Sequence, residues 1–156
     1  MPNYKQLLDM SNTTLVAMGK TMINMGLNIP LVWNELANVF GKEAKNMLKD
    51  TGMEIEGSDV KSITEDFAKK IKEIGFCQRA DIIEASDEKI VMDLGECIYA
   101  PATTLFRGDD KNFIPPCPMM GILYSAIESK TGKKGFIETC LFKPEENTSI
   151  FTITLE

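Results

Sequence analysis

The fold is decided by the stretch FCQRADIIEASDEKIVMDLGECIY, residues 76–99. Its two halves, residues 76–85 and 89–99, are strand-like, and the polar segment 86–88 (SDE) separates them. Two such runs joined by a short polar segment predict a β-hairpin. The chain before Gly75 has helical spacing instead, so this hairpin marks the change from helices to strands.

Working outward toward the N-terminus, the apolar spacing predicts three helices, at residues 4–26, 30–50 and 58–75. Pro30 suits the first turn of the second helix, and glycines follow the second and third. The third helix has the clearest apolar stripe, at i, i+4, i+8 and i+11. Its members are Ile63, Phe67, Ile71 and Ile74.

Toward the C-terminus, residues 101–116 are predicted to form an irregular loop, either a plain surface loop or a lid. A fourth helix is predicted from Cys117 or Pro118 to Gly132. Residues 135–142 and 149–155 alternate apolar and polar side chains and predict two more strands. In the first of these, strict alternation places four side chains on one face: Phe136, Glu138, Cys140 and Phe142.

The predicted order is ααα-ββ-α-ββ, in which helices and strands are segregated. Such an order is typical of the α+β class, here N-terminal helices packed on a mostly antiparallel sheet. With no linker or repeat in the sequence, residues 1–156 are expected to form a single domain. Residues 1–29 are too apolar for an isolated surface helix, so we expect a dimerisation helix there and a homodimer.

Composition excludes several classes of function. The chain has 17 Lys and Arg against 23 Asp and Glu, a net charge of −6, and no histidine. Without histidine there is no Ser-His-Asp triad, Cys-His dyad or histidine zinc site. The acidic balance argues against a nucleic-acid partner. No apolar run reaches the ~20 residues of a membrane span, and no signal peptide is evident, so a cytoplasmic location is expected.

The chain contains four cysteines, and three of them could bind a metal together with one carboxylate. Cys117 lies at a predicted helix start, and Glu138 and Cys140 are predicted to share a strand face. Zinc takes sulfur and oxygen ligands, and Cys97 could add a further ligand from the hairpin. The predicted metal ligands are therefore Cys97, Cys117, Glu138 and Cys140. Alternatively, all four cysteines are small buried side chains and Glu138 faces solvent.

An apolar pocket is predicted between the sheet and the helices, gated by residues 101–116. The apolar stripe of the fourth helix would face an apolar strand face there. The predicted lining residues are Phe113, Met119, Met120, Leu123, Tyr124, Phe136 and Phe142.

The C-terminal half resembles the 4-vinyl reductase, or hydrocarbon-binding, domain family. The resemblance covers roughly residues 30–156 and rests on five short segments: GKEAK at 41–45, GECIY at 95–99, CPMMGIL at 117–123, GFIETC at 135–140 and FTI at 151–153.

This resemblance implies an α+β fold related to TRAPP-complex subunits and haem–nitric-oxide-binding domains. It also implies binding of small, often apolar molecules, in some members as a sensor module. Several members bind zinc through a Cys, a Glu and two further Cys. Cys117, Glu138 and Cys140 match three of those ligands. The fourth would fall near Thr148 or Ser149, so a zinc site would be lost or completed by Cys97, water or a ligand group.

The function predicted from the sequence is thus binding of a small apolar molecule, with zinc as the candidate cofactor and no assigned catalytic residue. Binding is favoured over catalysis because no histidine base is present. The alternative is a thiol- or metal-dependent enzyme that uses Cys117 and Cys140.

Overall fold

The computed structural model describes residues 3–48, 53–108, 112–114 and 117–156. The described chain forms an α+β fold, which confirms the predicted class. Its elements are α1 (Tyr4–Asn24), α2 (Ile29–Leu48), α3 (Val60–Glu73), β1 (Arg79–Ala85), β2 (Lys89–Gly95), α4 (Ala100–Arg107), α5 (Pro118–Thr131), β3 (Gly135–Lys143) and β4 (Thr148–Leu155). None of the described helices is long and apolar enough to cross a membrane.

The four strands form one antiparallel sheet in the order β1-β2-β4-β3. Every second residue of the two central strands points into the core, as strand geometry requires. The buried positions of β4 are the predicted ones: Phe151, Ile153 and Leu155. Those of β2 are Ile90, Met92 and Leu94.

Helices α3 and α5 cover the inner face of the sheet. Helix α3 begins at a capping box, in which Asp59 accepts from the Ser62 N–H and the Ser62 hydroxyl accepts from the Asp59 N–H. Three members of its predicted stripe, Ile63, Phe67 and Ile71, are completely inaccessible to solvent. The fourth member, Ile74, lies past the helix end and is exposed. Burial of these side chains stabilises the fold by roughly 1.5–3 kcal/mol for each large one.

Helices α2 and α5 cross where each has a glycine. A Cβ atom on Gly41 would lie 1.8 Å from the Gly121 carbonyl oxygen, and one on Gly121 would lie 1.9 Å from the Ala37 carbonyl oxygen. Any larger residue at either position would collide with backbone, which cannot move as a side chain can. The two glycines therefore set how closely the helices approach.

The largest error in the predicted elements concerns residues 101–116. Instead of an irregular loop, this stretch begins with helix α4, in which Pro101 occupies a position in the first turn that tolerates the missing N–H. Residues 109–111 and 115–116 of the predicted loop lie outside the described residues. Helix α4 supports α1, because Gly19 of α1 lies against the ring of Phe106, and Trp33 of α2 packs edge-to-face on that ring at 6.0 Å.

Strand β3 contains a β-bulge, and its side chains therefore face other sides than the sequence predicts. Ile137 pairs with Ile153 while Thr139 pairs with Thr152, so Glu138 is an extra residue in the ladder. The extra residue shifts the alternation by one, and Ile137 and Cys140 are buried whereas Phe136 and Glu138 are exposed. The expectation that Glu138 and Cys140 share a face was therefore wrong.

Asn34 of α2 covers the outer edge of β3 at this bulge. The Ile137 N–H donates to Asn34 Oδ1 at 2.8 Å, and Asn34 Nδ2 donates to the Ile137 carbonyl oxygen at 3.4 Å. An edge strand left open invites pairing with another chain, so this amide closes one position of the edge.

Candidate functional site

A pocket of about 50 Å³ opens at one end of the sheet. It lies where the two hairpin strands end, and α4 and the turn between β3 and β4 complete it. Its apolar and thiol-bearing lining consists of Phe76, Cys77, Leu94, Gly95, Cys97, Tyr99, Ala100, Cys117, Phe142 and Phe151. Its polar lining consists of Glu96, Thr103, Thr104, Arg107, Asn147 and Ser149.

The pocket exists because β1 starts late and β2 ends early. The sequence predicts longer strands, at residues 76–85 and 89–99. Strand β1 starts only at Arg79, since the Phe76 and Cys77 N–H groups still bond to the Ile71 carbonyl oxygen behind α3. Strand β2 stops at Gly95, and Glu96 then takes a left-handed conformation with φ 52°. The chain leaves the ladder at both ends, which leaves space beyond the last paired residues.

The pocket floor is apolar and its mouth is polar. Phe76, Leu94 and Phe151 are each less than a tenth exposed, and Phe76 packs edge-to-face on Tyr99 at 5.6 Å. Glu96, Thr104 and Asn147 are exposed at the rim. Such a gradient is typical of sites that bind the apolar part of a small molecule.

Arg107 is a charged group in the wall of this pocket. It is the last residue of α4, and only 6% of it is exposed. Its guanidinium carbon lies 3.6 Å from the centre of the Phe142 ring, and Nη2 lies 3.5 Å from Ser149 Oγ. This cation–π contact holds the guanidinium beside the Phe142 ring in the wall of the pocket.

All four cysteines are free thiols, and burial keeps them protonated. Burial above all, together with the neighbouring Cys97, raises the pKa of the Cys117 thiol to about 12. Burial likewise raises the pKa of Cys77 and of Cys140 to about 11, and it raises the pKa of Cys97. The nucleophilic form of cysteine is the thiolate, so at neutral pH these side chains act as small apolar groups.

The structure does not bring the four predicted metal ligands together. Cys97 and Cys117 line the pocket, and Cys140 is buried beside Ser149 and Arg107. Glu138 is exposed, and its Oε2 accepts from the Thr154 hydroxyl at 3.2 Å. Within the described ranges, no group of three or more Cys, Asp or Glu side chains is placed to hold a metal ion. The described residues therefore form no ready metal site, and zinc binding by this chain stays a prediction.

Of the seven residues predicted to bind a ligand, Phe142 lines the pocket. Four others lie in the packed core and are at most 6% exposed: Met119, Met120, Leu123 and Tyr124. Phe136 is 46% exposed, and the half-buried Phe113 stacks on Phe106 at 6.2 Å. The space expected beneath α5 is thus filled by side chains, and the pocket lies at the end of the sheet instead.

Sequence reasoning missed Phe76, Leu94, Arg107 and Phe151 as pocket residues. One signal was present: Arg107 is one of only two arginines, and it follows the apolar pair Leu105-Phe106. An arginine in an apolar segment is buried only where something offsets its charge. The other three residues follow ordinary strand patterns, which do not show where a strand ends.

Among the comparisons with known proteins, the comparison of structures found a match, and that match bears on the fold alone. No protein-family model matches the sequence, and no curated protein matches it. The structure is similar to the crystal structure of a trafficking protein particle complex subunit 3 from Naegleria fowleri, which is covalently bound to palmitic acid. The TM-score is 0.60 at 14% sequence identity, over 97% of this chain and 96% of that chain.

Proposed function

We propose that this chain is a binding module for a small molecule with an apolar part, which enters the pocket at the end of the sheet. The observation that carries the proposal is the apolar floor formed by Phe76, Leu94 and Phe151 behind a polar mouth. Two further points support it: the resemblance to the 4-vinyl reductase family and the palmitic acid held by the structural neighbour.

The pocket's size limits what it binds. One water needs about 10–15 Å³, so the 50 Å³ here takes a group of a few non-hydrogen atoms. A sixteen-carbon chain does not fit in this space. The ligand is therefore small, or it places one end in the pocket and extends through the mouth past Thr104 and Asn147.

Filling the pocket tests the proposal. Ala100 lines the mouth at the start of α4, and Leu105 on the same helix is 62% exposed and outside the lining. We expect 1-hexanol to shift the amide resonances of lining residues saturably in the wild-type protein. Ala100→Phe should weaken this binding at least about tenfold, because the new ring occupies the apolar space.

The matched control is Leu105→Phe, which adds a ring on the outer side of α4 and should leave binding unchanged. Absence of saturable binding of both 1-hexanol and hexanoate to the wild-type protein would contradict the proposed function. Binding that Ala100→Phe leaves intact would place the site elsewhere and would contradict it as well.

The thiols give a separate expectation for a binding module as opposed to a thiol enzyme. Because burial raises the pKa of Cys97 and Cys117, we expect their alkylation by iodoacetamide to be slow at pH 7.5. The rate should rise roughly tenfold per pH unit up to pH 10 without levelling off, since an ordinary thiol levels off near its pKa of ~8.5. Fast alkylation of Cys117 at pH 7.5 would favour the enzymatic alternative.

We also propose a cytoplasmic location for this chain. Its four free thiols fit that location, because thiols stay reduced there.

We further propose that the apolar face of α1 pairs with a second copy of the chain. Leu7 and Met18 lie within ~20° of each other around the helix at 100° per residue, and Met25, the residue that caps the end of α1, continues their line. Each of the three is more than half exposed. Tyr4 and Met10 flank this stripe and are also exposed. Several exposed apolar side chains on one face of a helix are typical of an interface.

Sedimentation at several concentrations tests the pairing. The double variant Leu7→Glu/Met18→Glu should convert a dimer into a monomer, because it places charges in the stripe. The control, Thr13→Glu, adds a charge about 120° away on the same helix and should leave the dimer intact. A wild-type protein that sediments as a monomer at all concentrations would overturn this proposal.

A further inference from the structure

Helix α4 and the turn before it form a single layer between the pocket and α1. Ala100, Thr103 and Thr104 of α4 line the pocket. Ala102 and Phe106 are buried on a side of the helix about 130° away, at 100° per residue. One side of this short helix therefore meets a ligand, and the other side packs against the rest of the protein.

This layer is in close contact with α1 at two places. A Cβ atom on Gly19 of α1 would lie 2.2 Å from the Phe106 ring. In the turn, the Ile98 carbonyl oxygen accepts from Asn12 Nδ2 of α1 at 3.1 Å, and both sequence neighbours of Ile98 line the pocket. An outward movement of α4 and of this turn therefore displaces α1 as well.

The hold of this layer on α1 is weak. Asn12 and Gly19 are the two buried residues of α1. Asn12 is 6% exposed, and among the described residues its Oδ1 has no hydrogen-bond partner. A buried acceptor without a partner costs free energy that is recovered when water reaches it. The docked position of α1 should therefore yield before the core does.

The pocket must enlarge to enclose a long apolar group, and α4 is the wall that can move. The volume of about 50 Å³ takes a few non-hydrogen atoms. On the sheet side, Leu94 and Phe151 belong to β2 and β4, which pair with each other along the ladder. Helix α4 has eight residues, and a helix this short depends on its tertiary contacts. A ligand that enlarges the pocket therefore moves α4.

We propose that an apolar group entering the pocket pushes α4 and the turn at Ile98 outward and undocks α1. Occupancy of the pocket thereby controls how firmly α1 is held. This inference rests on the proposed function, since it concerns the regulation of the same site. Because α1 also carries the proposed pairing face, the ligand acts on the helix that would meet a second copy of the chain.

Hydrogen exchange with and without 1-hexanol tests the proposal in the wild-type protein. A ligand that only stabilises the folded state slows exchange throughout the chain. We expect saturating 1-hexanol instead to accelerate exchange of the α1 amides at least about fivefold, the low end of typical coupling between two sites, without accelerating the α3 amides. The measurement is made at concentrations where the chain is monomeric, so that pairing does not protect α1.

Trp33 of α2 provides an independent optical readout. It is the one tryptophan of the chain, and it is 2% exposed. Its ring packs on Phe106 and lies beside Gly19 of α1. Undocking of α1 lets water reach this ring, so 1-hexanol should shift the tryptophan emission to longer wavelength.

Release of α1 by mutation tests the coupling in the opposite direction. Asn12→Asp removes the donor to Ile98 and places a charge at a buried position. Because coupling is reciprocal, this variant should bind 1-hexanol more tightly, by about the factor at which the ligand accelerates α1 exchange in the wild type. Ser11→Asp is the matched control, since it adds the same charge at an exposed neighbouring position and should leave the affinity unchanged.

The wild-type measurements decide the proposal whether or not Asn12→Asp folds. Saturable binding of 1-hexanol without faster α1 exchange would overturn the coupling, and the proposed binding function would stand. An affinity that Asn12→Asp lowers or leaves unchanged, or that Ser11→Asp raises equally, would contradict the coupling too. Absence of saturable binding would overturn the binding function itself, on which the coupling rests.

Discussion

Helices α3 and α1 are both regular and both apolar on one side, yet they relate differently to the rest of the chain. Helix α3 has 14 residues, of which six are buried, and charged side chains cover its outer side. Helix α1 has 21 residues, of which only Asn12 and Gly19 are buried. An apolar stripe therefore predicted both helices correctly, but it did not indicate which part of the protein, if any, covers the stripe.

Removal of one large side chain from each helix tests whether α3 belongs to the core and α1 does not. Phe67→Ala in α3 should lower the free energy of unfolding by about 3–5 kcal/mol, because a completely buried ring leaves a cavity. Leu7→Ala in α1 should change it by less than about 0.5 kcal/mol at concentrations where the chain is monomeric. Urea denaturation of both variants measures the contrast, and similar losses would show that α1 is part of the same core.

A second prediction concerns Gly19, where α1 approaches the Phe106 ring of α4 closely. A Cβ atom on Gly19 would lie 2.2 Å from the Phe106 ring, so Gly19→Val should push α1 away from α4 at a cost of about 1–3 kcal/mol. The exposed Ala17→Val controls for the helix propensity of valine. Hydrogen exchange along α1 should accelerate in the first variant alone. Equal exchange in the two variants would mean that α1 is anchored elsewhere.

The sequence predicted the parts of the fold whose periodicity is uninterrupted. Helix α3 was found from Ile63, Phe67 and Ile71, and β4 from its regular alternation. Helix α4 was missed because an eight-residue helix with a proline and two threonines has little intrinsic helix signal, and contact with α1 stabilises it.

The candidate site was harder to predict than the fold, for two physical reasons. The bulge at Glu138 breaks the alternation of β3, and no local residue type announces the extra residue. The pocket lies beyond the last paired residues of β1 and β2. The start of β1 is delayed by the way α3 ends, because the Phe76 and Cys77 N–H groups still donate to the Ile71 carbonyl oxygen, and apolar alternation does not show how far such a cap extends. Phe142 lines the observed pocket, but the sequence pattern placed the cavity beneath α5, where the core is full.

The smallest expected effect is a difference in pH dependence between the N-terminal caps of α3 and α1. Asp59 caps α3, and the backbone N–H and hydroxyl of Ser62 lower the pKa of its carboxyl, whereas Asn3 caps α1 and does not titrate. Burial raises the pKa of Asp66 in α3, but bonds from the Glu56 N–H and Lys70 outweigh this, so its net shift is also downward. A carboxyl whose folded-state pKa is lowered stabilises the protein above its ordinary pKa of 3.8, and this contribution is lost as the pH falls through the lower folded value.

Acid should therefore loosen the start of α3 and leave the start of α1 unchanged. Urea denaturation between pH 6 and pH 2.5 should show a smaller acid loss in Asp59→Asn than in the wild type, because asparagine keeps the cap without a titrating group. Asn3→Asp is the reverse control, and it should add an acid-sensitive cap to α1. An acid loss that Asp59→Asn leaves unchanged would assign the pH dependence to other carboxyls, and the two helix starts would then be equivalent.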